Sequence, residues 1–119
     1  MSAESPSSGA ASDAVASVIV RTYNSAATVT DTLASLRRQD VAVEIIVVDS
    51  GSQDSTLDLV ADVADVVLHV PHESFSYGGA LNLGAAAASA RMHAALSSHC
   101  VLPRPDWVRM AREHVDGGE

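Results

Sequence analysis

From Glu44 to Thr56 the chain reads EIIVVDSGSQDST. Ile45, Ile46, Val47 and Val48 are β-branched, so the stretch predicts a buried strand, and it ends on a carboxylate, Asp49. Ser50, Gly51 and Ser52 follow as a loop, and Asp54 opens a helical pattern. A strand that passes into a helix through so short a loop belongs to an open α/β sheet, where ligands bind at the carboxyl ends of strands. An acid at that edge can accept from a ribose hydroxyl or a base N–H, and Gly51 allows close approach to the backbone. Read alone, Asp54 or Ser55 is a helix N-cap and Asp49 ends a strand.

The rest of the chain repeats the pattern. Residues 1–16, MSAESPSSGAASDAVA, have no apolar period and read as a disordered lead-in to a single domain over 17–119. Val18 to Tyr23 predicts a strand. Asn24 or Ser25 is placed to cap a helix carrying Val29, Leu33 and Leu36 and ending near Arg37 and Arg38. Val43–Asp49 is the next strand, and Leu57, Val60, Ala61 and Ala64 make one face of the next helix. Val66 to Val70 predicts a strand, residues 71–79 a loop, and Leu81, Gly84, Ala85 and Ala88 a helix with a small-residue face. Met92 to Ser97 predicts a weaker strand, and Pro105 suits the start of a last helix through Trp107 to His114. This alternation calls for a parallel sheet with helices on both faces.

Composition narrows the function. Fifteen acidic residues against seven basic ones leave a net charge of −8, the wrong sign for nucleic acid or an anionic membrane. Cys100 is the only cysteine, so no internal disulfide forms; it reads as a small buried thiol. No apolar run reaches the length of a membrane span and the N-terminus lacks a signal-peptide pattern, so a cytoplasmic location is expected. GxGxxG after the first strand, GxxxxGK[ST] and GxSxG are absent, which removes dinucleotide dehydrogenases, P-loop ATPases and α/β-hydrolases. His69, His72 and Glu73 suggest a metal cluster, but a spacing of three residues on a strand-to-loop passage does not place two imidazoles on one face. Trp107, Val108, Met110 and Ala111 read as core.

Four segments in order, SVIVRTYN at 17–24, EIIVVDSGSQDST at 44–56, SFSYGGALNLGAAAA at 74–88 and LSSHCVLPRPDW at 96–107, resemble the first half of a family 2 glycosyltransferase of the GT-A type, a Rossmann-like open sheet that uses nucleotide-sugar donors. The match is nearest to a branch with an SxHC stretch where the family usually carries DxD. By that resemblance Thr22, Tyr23 and Asn24 line a nucleoside pocket, and Asp49 accepts from the base or ribose. Ser50, Gly51 and Ser52 form the loop beside it, and Asp54 braces that loop or touches the ribose. Gly78 and Gly79 turn tightly beside the ligand, Asn82 opens the helix under the nucleoside, and His99 donates to phosphate. The reaction implied is displacement at the anomeric carbon by an acceptor hydroxyl, with nucleoside diphosphate leaving; it needs a base for the acceptor and positive charge or strong donors for the leaving group.

The resemblance departs from the family in ways that bear on chemistry. Ser97, Ser98 and His99 stand where DxD belongs, a poor oxygen set for Mg²⁺ or Mn²⁺, so metal dependence is doubtful. Leu81 stands where many relatives carry Arg before the Asn. Arg21 and Arg104 are then the candidates by position for the diphosphate. The chain ends at Glu119 without a counterpart of the acceptor half, so little transfer is expected from it alone, and an unpaired sheet edge invites self-association. The alternative is a non-catalytic nucleotide-binding or partner module that kept the pocket. A third, weaker reading is a metal-dependent hydrolase on His69, His72, Glu73 and His99.

Overall fold

A computed structural model of the chain describes residues 13–117. Its strands are β1 (Ala16–Thr22), β2 (Val43–Asp49), β3 (Val66–His69) and β4 (Met92–Ser97), in one sheet of order β3-β2-β1-β4 with every pair parallel. The helices are α1 (Val29–Arg37), α2 (Thr56–Ala61), α3 (Tyr77–Ala87) and α4 (Trp107–Gly117), with a 3₁₀ turn at His72–Ser74. Among the described residues no helix is long and apolar enough to cross a membrane. The lead-in expected over 1–16 falls mostly on residues 1–12, outside the described residues. Ala16 itself already pairs with Val43 and Met92, so β1 begins before the predicted Val18.

Side-chain alternation along the strands builds a core on each face. Val18 and Val20 of β1 and Ile45 and Val47 of β2 pack with Val29, Leu33 and Leu36 of α1, Val60 of α2 and Val108 of α4. On the other face Ile19, Ile46 and Val48 meet Ala80 of α3. Helix α3 lies close to the sheet because Gly84 faces Ile19: a Cβ on Gly84 would stand 2.7 Å from Ile19 Cγ2.

The sheet order sets the position of the site. The chain moves from β1 outward to β2 and β3, then α3 carries it across to β4 on the opposite side of β1. At that reversal the connections diverge and leave a crevice beyond the carboxyl ends of β1 and β4.

Several sequence expectations change here. Gly78 and Gly79 lie in the first turn of α3, not in a loop. Ser76 caps that helix by accepting from Gly79 N at 3.0 Å; a Cβ at Gly79 would sit 2.8 Å from Ser76 Oγ, so the Ser76 side chain would have to shift to keep the cap. Helix α4 starts at Trp107 rather than Pro105, because its start is capped from afar: Gln39 Oε1 accepts from Val108 N at 2.8 Å. With that start, Val108 is buried while Trp107 and Met110 are 41% and 49% exposed, so only part of the expected cluster is core. Cys100 is exposed in the turn after β4 rather than buried.

Candidate functional site

The crevice at the switch point is a cleft of about 250 Å³. Arg21, Thr22 and Tyr23 line it from the end of β1, Ser50 from the end of β2, and Ser97, Ser98 and His99 from the end of β4. Ser25 contributes from the β1–α1 loop, and His72, Phe75 and Tyr77 close it from the 3₁₀ turn and the start of α3. Among the described residues its wall therefore holds hydroxyls, rings and one guanidinium, and no carboxylate.

The rings are arranged. Tyr23 stacks on His72 with centroids 4.1 Å apart and planes inclined by 19°. Phe75 meets Tyr77 edge-on at 5.7 Å, and the Tyr77 ring lies over the Arg21 guanidinium, its centroid 4.1 Å from Cζ. Tyr77 is 65% exposed, at the mouth. The opposite wall is tied down by hydroxyls: Ser25 Oγ and Ser98 Oγ are 2.8 Å apart, and Thr28 and Thr32 hydroxyls each donate to Ser98 O at 2.9 Å.

Asp49 occupies a different place from the one the resemblance implies. It is fully buried. Its Oδ1 accepts from Thr22 Oγ1 at 2.6 Å and Ser52 Oγ at 2.5 Å; its Oδ2 accepts from Gly51 N at 3.0 Å and Ser52 N at 2.8 Å. A carboxylate has about four acceptor positions, and the chain fills them. Burial works against ionisation, but the bonds from Ser52, Thr22 and Gly51 outweigh it and hold the carboxyl below the usual Asp range. In this geometry Asp49 shapes the loop and offers no free oxygen to a ligand. Gly51, at φ 90°, supplies the left-handed turn the loop needs.

Asp54 braces. Its Oδ2 accepts from Ala26 N at 3.1 Å and its Oδ1 from Thr56 N at 2.9 Å, joining the β1–α1 loop to the start of α2. The Thr56 hydroxyl, foremost, holds its carboxyl below the ordinary value. Asn24 ties the same loops, donating its N–H to Ser52 Oγ at 2.8 Å while its Oδ1 accepts from Gln53 N at 2.7 Å. It does so at φ 47°, a conformation Asn tolerates.

Of the residues singled out by sequence, Arg21, Thr22, Tyr23, Ser50, Ser97, Ser98 and His99 therefore meet in the cleft wall. Asn24, Asp49, Gly51, Ser52 and Asp54 form the scaffold behind it, while Gly78, Gly79 and Asn82 line no part of it. Asn82 is exposed midway along α3. Arg104 is removed too, paired with Asp106 at 2.6 Å away from the cleft. Sequence alone does not single out Phe75 or Tyr77, although both lie in the SFSYGGALNLGAAAA segment that carries the resemblance; it names Ser25 only as a cap and His72 only as a possible metal ligand. Among the described residues no three His, Cys, Asp or Glu side chains converge as a metal-binding group, so HVPHE forms none.

Residues 17–119 match the family model described as glycosyl transferase family 2. The chain belongs to that family. It is 40% identical over 101 residues to the succinoglycan biosynthesis protein ExoO of Rhizobium meliloti, covering 82% of this chain and 29% of that protein. It is 39% identical over 100 residues to validoxylamine A glucosyltransferase of Streptomyces hygroscopicus, covering 78% and 24%. Among solved structures, S. aureus TarS 1-349 in complex with UDP-GlcNAc superposes with a TM-score of 0.76 at 28% identity, covering 86% of this chain and 31% of that one. Glucosyl-3-phosphoglycerate synthase of Mycobacterium tuberculosis, in complex with Mn²⁺, UDP and glucosyl-3-phosphoglycerate, gives 0.69 at 27%, covering 90% and 41%. The chain thus spans less than half the length of each of these relatives.

Proposed function

We propose that this family 2 chain holds a nucleoside diphosphate sugar in the cleft at the ends of β1, β2 and β4, for transfer of the sugar to an acceptor hydroxyl. The observation that carries the reading is the position of the cleft: it opens where the sheet order reverses, between Arg21–Tyr23 and Ser97–His99. The TarS complex, which contains UDP-GlcNAc, supports the same class of ligand. The Tyr23–His72 stack offers a flat face to a base. The Asp49 and Asp54 networks keep the surrounding loops rigid, so binding need not order them.

In transfer, negative charge develops on the departing diphosphate while the acceptor hydroxyl loses a proton. Mg²⁺ or Mn²⁺ bound by carboxylates often takes that charge, but Ser97, Ser98 and His99 give two hydroxyls and an imidazole, which do not fit a hard cation. Among the described residues His72 and His99 are the imidazoles of the wall, and His72 is stacked on Tyr23. A cleft without a carboxylate also favours a second reading, a module that binds the nucleotide and performs no transfer.

Titration calorimetry with UDP, GDP and dTDP, each with Mn²⁺ or EDTA, tests the proposal, with Tyr23→Ala as control. Saturable binding of one nucleotide, weakened in Tyr23→Ala, is the expected result. No binding of any of the three by folded protein would overturn it.

A further inference from the structure

We infer that Arg21 is the cation that receives the ligand's diphosphate, in the place a divalent metal would otherwise hold. This rests on the nucleotide-sugar reading of the cleft and adds the group that recognises the phosphates.

The basic residues of this chain are all arginines, and Arg21 is the one lining the cleft. Others are already occupied: Arg37 pairs with Asp65, Arg104 with Asp106, and Arg109 with Asp40 and Glu113. Arg21 forms no ion pair among the described residues, in a chain of net charge −8. Its Nε is buried without a hydrogen-bond partner. Buried donors in folded proteins are nearly always satisfied, and an exception calls for a missing partner. A guanidinium offers donors only, so that partner is an acceptor.

The surroundings ask for negative charge. Arg21 stands on the α3 face of β1, between Val48 and Ser97 in register. Tyr77, the first residue of α3, covers its guanidinium. The start of that 11-residue helix carries the positive end of its dipole, so a cation beneath it is repelled by its neighbour. An anion beside the guanidinium in the cleft offsets both positive charges. The contact with Tyr77 also holds the guanidinium plane, which leaves its fork pre-set for paired phosphate oxygens. With no carboxylate in the wall to compete, the diphosphate is the group of a nucleotide sugar that fits.

The test uses calorimetry in EDTA on the wild-type chain, Arg21→Gln and Arg21→Lys, with UDP and uridine, GDP and guanosine, dTDP and thymidine. Wild type is expected to bind the preferred diphosphate at least tenfold more tightly than its nucleoside, unchanged when Mn²⁺ replaces EDTA. Arg21→Gln should lose that advantage and bind the nucleoside as before, and Arg21→Lys should recover part of it. Inorganic pyrophosphate should compete with the diphosphate on wild type, a readout independent of any variant's folding. A merely structural Arg21 would move the melting temperature and leave the diphosphate-to-nucleoside ratio intact. That result, or diphosphate binding that requires Mn²⁺, overturns the inference. Absence of binding by nucleoside and diphosphate alike in folded wild type instead overturns the nucleotide reading, and this inference with it.

Discussion

Replacing Asp49 by Asn tests whether the buried carboxylate holds the loop through its charge. The wild-type carboxylate accepts two hydroxyl and two backbone N–H bonds. Asn can keep its oxygen on Gly51 N and Ser52 N and turn its amide toward Thr22 Oγ1 and Ser52 Oγ, which reverse to accept. The bonds survive in count but lose their charge assistance, about 1 kcal/mol apiece, or roughly 4 kcal/mol together. Asn also avoids burying a charge, the largest influence opposing ionisation here, so a net loss of about 2 kcal/mol is expected. For a domain of this size that is a fall in Tm of roughly 8 °C. The pH dependence carries the sign. The folded carboxyl is held below its unfolded value, so its contribution is complete above about pH 4 and disappears as pH falls through the lower folded value. Urea unfolding followed by circular dichroism, on both proteins from pH 7 to pH 3, cancels the titration of groups they share. The gap should be constant near neutrality and close in acid. Equal stabilities at pH 7, or a gap unchanged down to pH 3, would refute a role for the charge.

Other outcomes follow from close contacts. Gly84→Ala gains about 1 kcal/mol of helix propensity but drives a methyl to 2.7 Å from Ile19, and overpacking costs about 1–3 kcal/mol; denaturation should show a net loss in wild type and a gain in an Ile19→Ala background. Gly51→Ala should cost roughly 1–2 kcal/mol in the same assay from backbone conformation alone, because at φ 90° the new Cβ meets His72 Cβ at an ordinary 3.7 Å. Among the described residues β4 pairs only with β1, and we propose self-association through its open edge: sedimentation velocity should give a mass that rises with concentration, and a monomer throughout would count against it.

Much of the fold was legible because burial imposes a simple code on a central parallel strand. Val43–Asp49 carries that code at full strength, and β2 has those bounds. Met92–Ser97 matches β4, and Val29, Leu33 and Leu36 give the buried stripe of α1. What failed depends on partners remote in sequence. The start of α4 is set by Gln39, whose amide accepts from Val108 N and donates to Arg104 O at 2.8 Å, and no local rule around Pro105 reveals it. Tyr77 reaches the cleft only because α3 crosses the sheet there. The candidate loop was found through the spelling DSGSQD, but the task of Asp49 within it was not, since Thr22 faces it only through strand register. The pairing of Arg104 with Asp106, by contrast, lay within reach of a short-range reading.

Arg21 and Thr22 are adjacent on β1 but turn to opposite faces, one beneath Tyr77 and the other onto Asp49. Exchanging one apolar residue of β1 for another preserves this division. Adding or removing a single residue within the strand inverts it, sending the guanidinium toward the carboxylate and the hydroxyl under the ring. Descendants of this chain can therefore respell β1 freely but cannot change its length, and length variation should collect in connections such as 38–42 and 62–65, where no strand parity has to be kept.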